Sequence, residues 1–417
     1  MSRRTQSAPA WARHPERAWL PVAAAMMAVA WGGNEFTPLL VMYRDVSGFT
    51  EFTVYGLLAA YVVGIVPALL IGGPLSTAWG RRMVMLPAAP VSFLGSTVLA
   101  LSPDSAPLLA VGRVLCGAAL GMVMAVGSTW VKELCDRAGT DPTAGARRAA
   151  LSLTGGFLLG AGVAAALAQW APGPTYLAYV VHLVLTVAAG CWLFTVPETR
   201  PRRSELSGRQ LVRLFAIPSA RHPRFLLVVV PAAPWVFSCA GAAYAVLPMF
   251  LSDAAGDLPI AFSGMMTVVT LGCGVGIQTL GRRIDTPRSS RATVVGLSIA
   301  ATGTLLGAGA ASTHQLALGL VAAAVLGAGY GLTLVAGLSE VQRIATPDDL
   351  AGLTAVYYSL TYLGFFVPMV LATLSAYLSY AALFAIGTGI ALVCLIIVAC
   401  AWRAFLPPAA PLEEYPN

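Results

Sequence analysis

The chain of 417 residues is 58% hydrophobic and only 10% charged. Its mean hydropathy of +0.77 excludes an ordinary soluble domain, because a water-exposed surface needs more polar residues than this chain supplies. A helix of about 20 mainly apolar residues crosses a hydrocarbon core of roughly 30 Å. The composition therefore predicts an all-α integral membrane protein.

Twelve apolar stretches have the length of a membrane-spanning helix. They lie at about 18–42, 54–77, 83–102, 107–131, 148–170, 175–196, 225–251, 261–281, 293–311, 314–338, 353–376 and 380–404. A polar gap after the sixth stretch divides the chain into two halves. We expect two six-helix bundles with flanking segments, namely a tail at 1–17, a bundle at 18–196, a central loop at 197–224, a bundle at 225–404 and a tail at 405–417.

The distribution of basic residues predicts the orientation, because cytoplasmic loops of membrane proteins retain Lys and Arg. If the N-terminus is cytoplasmic, 23 of the 25 basic residues fall in cytoplasmic segments. Arg44 falls in an external loop, and Arg113 falls within a span. Both termini are therefore expected in the cytoplasm, in a multi-pass protein of the cell membrane. The net charge of +7 reflects this orientation and does not indicate nucleic-acid binding.

The first span contains an acidic residue in an otherwise apolar stretch. Glu35 lies between Met26 and Arg44, about 7 Å beyond the expected midplane at ~1.5 Å per residue. Arg113 in the fourth span lies about 9 Å from the midplane on the same side. An ionised side chain at this depth costs on the order of 2.5–3.5 kcal/mol. Both residues should therefore face protein or water.

The central loop leaves two interpretations open. Four apolar residues form a helical stripe with arginines opposite, which is typical of a helix lying on the membrane surface. They are Leu206, Leu211, Leu214 and Phe215. A solvated linker explains the same composition equally well.

The two halves share their spacings. The interval of 21 residues from Gly112 to Glu133 recurs from Gly319 to Glu340, at an offset of 207. The loop after the second span begins at Gly73, and a similar loop begins at Gly281, at an offset of 208. Two nearly equal offsets indicate a duplicated six-helix unit. Such repeats place a substrate site between two halves that rock against each other.

These residues resemble the major facilitator superfamily over essentially the whole chain. In that family the loop after the second helix reads Gly-x-Leu-x-Asp-Arg-x-Gly-Arg-Arg/Lys. The matching residues here are Gly73, Leu75, Gly80, Arg81 and Arg82. Thr77 and Ala78 depart from the pattern at the Asp and Arg positions.

Three further segments are similar to the same family. Arg113 with Gly117 and Gly121 resembles the Arg-x-x-x-Gly pattern of its proton-linked members. The segment Pro197–Arg200 resembles the end of the family's sixth helix, and Asp285 falls at the Asp position of the second loop copy. From these matches we expect the chain to belong to this family.

The fifth span matches only part of the antiporter pattern Gly-x-x-x-Gly-Pro-x-x-Gly-Gly. Gly156 and Gly160 are present, whereas Ala161, Ala164 and Ala165 replace the Pro and the later Gly residues. Small residues also allow close helix packing, whatever the direction of transport. An export signature and plain packing both remain open.

The resemblance implies alternating access, with the first and fourth helices lining a central cavity. Glu35 and Arg113 are then expected to face each other across that cavity. Glu35 is expected to take up and release the proton, so that the proton gradient supplies the energy and no cofactor or metal is needed. The alternative is a permanent buried ion pair that only fixes helix packing.

Charged and glycine residues near the cytoplasmic surface are expected to form an inner gate. In the first half they are Gly73, Gly80, Arg81, Arg82, Glu133, Glu198 and Arg200. In the second half they are Gly281, Asp285, Glu340 and Arg343. Single surface ion pairs contribute only about 0–1 kcal/mol, so gating would need a network. Solvated cytoplasmic charge explains most of the arginines without a gate.

The remaining polar and aromatic side chains in the spans are candidates for the substrate cavity. They are Trp31, Asn34, Tyr61, Ser128, Trp130, Tyr244, Gln278, Tyr358 and Tyr362. One acid, several tyrosines and much apolar surface fit an amphipathic or cationic organic molecule better than a sugar. His182 in the sixth span is expected to be a packing residue.

We expect a transporter and not an enzyme, because we find no trustworthy metal-ligand spacing, phosphate loop or Ser/His/Asp set. The resemblance to bacterial drug:proton antiporters predicts proton-coupled efflux of a small amphipathic or cationic compound by a monomer surrounded by lipid. The alternative is an uptake permease of the same fold for a small metabolite. A membrane-embedded enzyme, the rival from another class, would need clustered nucleophiles or metal ligands at one depth.

Overall fold

The computed structural model describes residues 15–141, 143–200, 216–286, 288–346 and 349–406. These residues are mostly helical and contain no β-strand. The helices of the first half are α1 (Leu20–Asn34), α2 (Leu40–Ser47), α3 (Glu51–Trp79), α4 (Arg81–Met85), α5 (Ala88–Leu101), α6 (Ala106–Arg137), α7 (Ala144–Trp170) and α8 (Leu177–Leu193). Those of the second half are α9 (Val230–Gly241), α10 (Leu247–Leu251), α11 (Pro259–Ile284), α12 (Arg291–Thr313), α13 (Leu316–Ile344), α14 (Leu350–Tyr362), α15 (Val367–Leu374) and α16 (Tyr380–Cys400).

Ten helical segments of the described chain are long and apolar enough to cross a membrane. The first and sixth predicted spans are the two that differ. A 3-10 turn at Thr37–Leu39, which contains Pro38, separates α1 from α2. Helix α8 is apolar but has only 17 residues. The all-α membrane fold is thus confirmed, and twelve spans stay a prediction. The stripe at 206–215 lies outside the described residues.

Glycines allow the main helix pairs to approach closely. A Cβ on Gly64 of α3 would lie 1.9 Å from the carbonyl oxygen of Val114 on α6, and one on Gly117 would lie 2.1 Å from the carbonyl oxygen of Tyr61. In the second half a Cβ on Gly331 of α13 would meet a carbonyl of α11 at 2.0 Å. The equivalent helices of both halves therefore pack backbone to backbone, as expected of helices held together in lipid by small residues.

Helix α7 packs on α1 in the same way. A Cβ on Gly156 would lie 2.4 Å from the carbonyl oxygen of Met27, and one on Gly160 would lie 2.5 Å from that of Trp31. This packing accounts for both glycines of the partial antiporter pattern, without reference to the direction of transport.

Hydrogen bonds join the halves at the end of the bundle that was predicted to be external. Arg44 donates to the carbonyl oxygen of Met249 at 2.9 Å and to the hydroxyl of Ser252 at 2.8 Å. Tyr380 of the second half donates to the Glu51 carboxylate of the first half. These bonds hold this end of the molecule closed.

Gln169 at the end of α7 makes a third link between the halves. Its side-chain oxygen accepts hydrogen bonds from the backbone N–H groups of Ile260 (3.1 Å) and Ala261 (3.0 Å), at the start of α11. Its side-chain nitrogen donates to the carbonyl oxygen of Asp257 at 3.0 Å. A side chain of one half thus caps a helix of the other half.

We expect Gly64→Ala to destabilise the protein by about 1–3 kcal/mol, because the added methyl group overlaps the backbone of α6. Gly73→Ala is the matched control on the same helix, since a Cβ there meets nothing within 4 Å. Thermal unfolding of the detergent-purified protein measures the difference. Equal melting temperatures for both variants would contradict the packing described for α3 and α6.

Candidate functional site

A cavity lies between the two halves. From the first half its lining includes Gly33, Asn34, Thr37, Tyr61, Arg113 and Phe157. From the second half its lining includes Phe237, Tyr244, Leu271, Tyr330, Tyr362 and Phe365. The volume open to the centre of a water molecule is about 30 Å³, which is room for about one or two waters. In this conformation the cavity is therefore too small to hold an organic molecule.

Four of the predicted cavity residues line this cavity, namely Asn34, Tyr61, Tyr244 and Tyr362. The other five lie elsewhere. Trp31 lines a separate cleft between α1 and α8, Trp130 is fully buried and Ser128 is exposed. Gln278 and Tyr358 are half-buried outside this cavity.

The cavity also contains aromatic residues that the sequence analysis did not select. Phe237 stacks on Tyr362 with ring centroids 4.4 Å apart and on Phe365 at 4.7 Å. Tyr330 lies beside the same ring at 5.8 Å. A search for polar side chains overlooks Phe, whereas a search for aromatic residues within spans would have found this cluster.

Arg113 lies in the cavity wall with only 1% of its surface exposed. Its guanidinium stacks between the rings of Phe36, at 4.5 Å, and Tyr61, at 4.3 Å. It donates long hydrogen bonds to the carbonyl oxygens of Gly33 (3.3 Å) and Leu57 (3.4 Å). Within the described ranges no carboxylate forms an ion pair with it. Ring faces and carbonyl dipoles are therefore its partners.

The carboxylate of Glu35 does not line the cavity, which corrects the expected placement opposite Arg113. It is fully buried inside the first half, where Ser96 donates to its Oε1 at 3.1 Å. Its Oε2 accepts no hydrogen bond of 3.5 Å or shorter among the described residues, and the side chain of Trp31 lies near the carboxylate. The reason is helical geometry. Asn34 faces the cavity, and the next residue on a helix points about 100° away.

His182 of α8 is the second ionisable group beside Glu35. Its Nδ1 lies 2.7 Å from Ser96 Oγ and 3.5 Å from Glu35 Oε1. Its Nε2 lies 3.1 Å from the carbonyl oxygen of Ala28. Thr186 Oγ1 lies 2.8 Å from the same Nε2. In the tautomer that carries its hydrogen on Nε2, this nitrogen donates to the Ala28 carbonyl or the Thr186 hydroxyl, and Nδ1 either accepts from Ser96 or is protonated.

These bonds define a chain from Glu35 through Ser96 to His182. With a histidine that is neutral and carries its hydrogen on Nε2, Ser96 donates to Nδ1 and accepts from a protonated Glu35. With a protonated histidine, Nδ1 donates to Ser96, and Ser96 donates to an ionised Glu35. Both arrangements satisfy the same contacts with the same number of protons. The chain can therefore hold one proton at either end.

Two adjacent glycines make room for both groups. A Cβ on Gly32 would lie 2.3 Å from Cε1 of His182, and a Cβ on Gly33 would lie 2.4 Å from the hydroxyl oxygen of Tyr61. The imidazole and the phenol thus press directly against the backbone of α1. This explains the pair of glycines before Asn34 and Glu35.

The predicted gate residues form one cluster in each half. In the first half Arg81 pairs with Glu133 at 2.6 Å. Glu198 accepts from the backbone N–H groups of Arg81 and Arg82, at 2.9 Å each, and from that of Arg200 at 3.0 Å.

The second half has the corresponding cluster, and it is more deeply buried. Glu340 binds the buried Arg224 through two bonds of 2.6 and 2.8 Å and also pairs with Arg343 at 2.8 Å. Arg343 pairs in turn with Asp285 at 2.6 Å. The sequence places Arg224 only in the central loop, because nothing in it shows that this residue folds back onto α13.

All these ion pairs join residues of the same half. No described bond of Arg81, Glu133, Asp285, Glu340 or Arg343 crosses between the halves. In this conformation the clusters brace each half separately and do not hold this end of the molecule closed.

We expect Glu340→Gln to lower the free energy of unfolding by about 3 kcal/mol or more, because it leaves a buried arginine without its countercharge. Glu133→Gln should cost only about 0–1 kcal/mol, since the Glu133 side chain is 29% exposed and solvent screens its pair. Thermal unfolding of the two purified variants measures the difference. An equal loss would show that the two clusters are equivalent.

Two similar bundles of apolar helices with a cavity between them define a membrane transporter. The family model described as Major Facilitator Superfamily matches residues 20–366, and the chain belongs to this family. This confirms the assignment made from the loop and helix patterns.

Known proteins resemble the chain at different levels. "Probable inositol transporter 2" of Arabidopsis thaliana is 28% identical over 166 residues, which is 36% of this chain. The matched part covers only 25% of that protein's length. A POT family transporter solved in complex with 5-aminolevulinic acid superposes with a TM-score of 0.74 at 12% identity, covering 94% of this chain and 97% of its own. The nucleoside transporter NupG gives 0.69 at 12% identity, covering 92% and 98%. These structures share the fold.

Proposed function

We propose that the protein is a proton-coupled secondary transporter of a small amphipathic organic compound, and that Glu35 takes up and releases the proton. The buried surroundings of Glu35 carry this proposal. A carboxylate at this depth is stable only when it is paired or protonated. Glu35 has no Arg or Lys within ion-pair distance in the described chain, and its neighbours Ser96 and His182 are suited to sharing one proton.

Alternating access is supported by the unequal ends of the bundle. Arg44, Gln169 and Tyr380 bond across the halves at the end predicted to be external. At the opposite end the described ion pairs of Glu133, Asp285 and Glu340 stay within each half. The molecule is thus closed at one end around a narrow central cavity. Opening that end requires breaking a few polar bonds, which leaves the two braced halves intact as moving bodies.

The cavity wall narrows the expected substrate class. The lining is aromatic and apolar, which suits an amphipathic molecule, and its one charged residue within the described chain is Arg113. A cation would be repelled by that charge. Of the amphipathic and cationic substrates expected from sequence, we therefore retain the amphipathic one. The proposal includes a monomer in the cell membrane with cytoplasmic termini, supported by the distribution of basic residues.

Export by exchange for protons, as in drug:proton antiporters, is the proposed direction. Its support is the partial match of the fifth span to the antiporter pattern, although packing of α7 on α1 also explains Gly156 and Gly160. Uptake by cotransport is the second candidate, and Arg113 favours it. A proton on Glu35 removes the nearest buried negative charge, so an anionic substrate and a proton would bind together.

The first test uses an efflux-deficient bacterial host that expresses the wild type or Glu35→Gln at equal membrane levels. Gln imitates a permanently protonated carboxyl group, so it should abolish proton-driven transport and return drug or metabolite sensitivity to that of the empty host. Asp104→Asn is the matched control, because Asp104 lies exposed in the loop between α5 and α6.

Three outcomes are informative. Protection by the wild type and Asp104→Asn, lost in Glu35→Gln, supports export through that carboxylate. Equal protection by all three would make Glu35 structural and refute the coupling. Increased sensitivity caused by the wild type would replace export by uptake.

We also expect Ser96→Ala to change the pH dependence of transport, because it removes the hydroxyl that connects Glu35 with His182. The initial rate in proteoliposomes, measured from pH 5 to 8 with the substrate found above, should fall by about tenfold or more at its optimum. The Ser92→Ala variant, one turn earlier on α5, is the control. An unchanged profile in Ser96→Ala would show that Glu35 exchanges its proton without the histidine.

A further inference from the structure

We propose that the transported compound is an organic anion, with a carboxylate that binds Arg113 and an aromatic or similarly flat apolar body. This inference rests on the proposed function, because it takes the central cavity as the transport site. It specifies the chemical class of the substrate, which neither the family nor the fold determines.

Most of the hydrogen-bond donors of Arg113 are unused. A guanidinium has five N–H donors, and the described contacts use only Nε and one hydrogen of Nη1, in bonds of 3.4 and 3.3 Å. Nη2 has no described acceptor. A charge so deeply buried is costly when it lacks a counterion. A carboxylate, which matches the guanidinium fork, would supply both the charge and the acceptors.

The hydroxyl of Tyr61 is a second unused hydrogen-bond donor in the cavity wall. It is buried, lines the same cavity and has no hydrogen-bond partner in the described chain. The ring of Tyr61 stacks on the guanidinium of Arg113 at 4.3 Å. The cavity therefore holds a charged fork and a free hydroxyl side by side, and a carboxylate has two oxygens to accept from both.

The protein's own carboxylate does not take this place. Glu35 accepts from Ser96 inside the first half and forms no ion pair with Arg113. Asn34, the other polar neighbour in the cavity, is already bonded to Thr37 and to the carbonyl of Phe157. No carboxylate of the described chain forms an ion pair with Arg113, so a ligand is the proposed source of its anionic partner.

The second half supplies the surface for the apolar body. Phe237, Tyr362 and Phe365 form a stacked cluster across the cavity from Arg113. Flat rings bind other flat apolar groups through their faces and edges. A ligand with an acid at one end and a ring at the other would thus contact both halves at once and bring them together.

The test uses three probes that share a phenyl group on a short alkyl chain and differ in charge at pH 7. They are the anionic 4-phenylbutyrate, the neutral 4-phenylbutanamide and the cationic 4-phenylbutylamine. Each is added to the detergent-purified full chain at pH 7, and thermal unfolding is followed. We expect the acid to raise Tm by about 2 °C or more at saturating concentration, and the amide and the amine to have no such effect. Arg113→Gln should abolish this shift, and Tyr61→Phe should weaken binding of the acid about tenfold. Arg403→Gln, which removes an exposed arginine outside the cavity, should leave it unchanged.

Several results would overturn the inference. These are an equal or larger shift with the amine or the amide, an equal shift with the acid in Arg113→Gln, and no shift with any probe. If Arg113→Gln does not fold, Arg113→Lys and Tyr61→Phe replace it, and both must weaken the effect of the acid. Binding in detergent needs no proton gradient, so this test and the test of Glu35→Gln can fail independently. Absence of acid binding would not contradict proton coupling through Glu35. Loss of proton coupling in Glu35→Gln would not contradict anion binding.

Discussion

Lipid offers no hydrogen-bond partner, so a polar group buried in this molecule is stabilised only as far as the protein itself supplies a partner. The chain meets this constraint in three different ways. Glu340 is neutralised by two arginines, and Glu35 is held by a serine beside a histidine. Arg113 relies on ring faces and carbonyl oxygens. The first solution is complete and braces the structure. The other two leave a lone pair or a donor unused, which is why we propose that a proton acts at Glu35 and a ligand at Arg113.

The two halves share a scaffold and differ in what they carry. Backbone contacts through glycine recur between the same pairs of helices in both, and so do the charged clusters at one end. In the middle of the bundle the similarity ends. The first half contributes Glu35, His182 and Arg113, whereas the second half contributes stacked aromatic rings. The halves thus share a helical scaffold, whereas the buried charges lie in one half and the stacked aromatic rings lie in the other.

Sequence alone predicted the helical membrane fold and its family, because hydropathy and motif spacing are properties of single segments. It also placed Glu35 and Arg113 at similar depth. It failed on their mutual orientation, because depth follows from residue number whereas the direction of a side chain depends on helix rotation, which neighbouring helices determine. His182 was expected only to pack, and its link to Glu35 through Ser96 depends on three separate helices. Arg224 was missed for the same reason, since its partner lies 116 residues away.

Gln169 caps α11 from the other half of the molecule, so separating the halves at this end would expose backbone N–H groups to solvent. The first N–H groups of a helix have no acceptor within that helix. When the halves separate, Ile260 and Ala261 lose the oxygen of Gln169, and only water can replace it. Opening is therefore also a hydration step. Solutes that are excluded from protein surfaces raise the cost of hydrating such groups. On the proposed alternating access, such solutes would favour the closed form without binding to the protein.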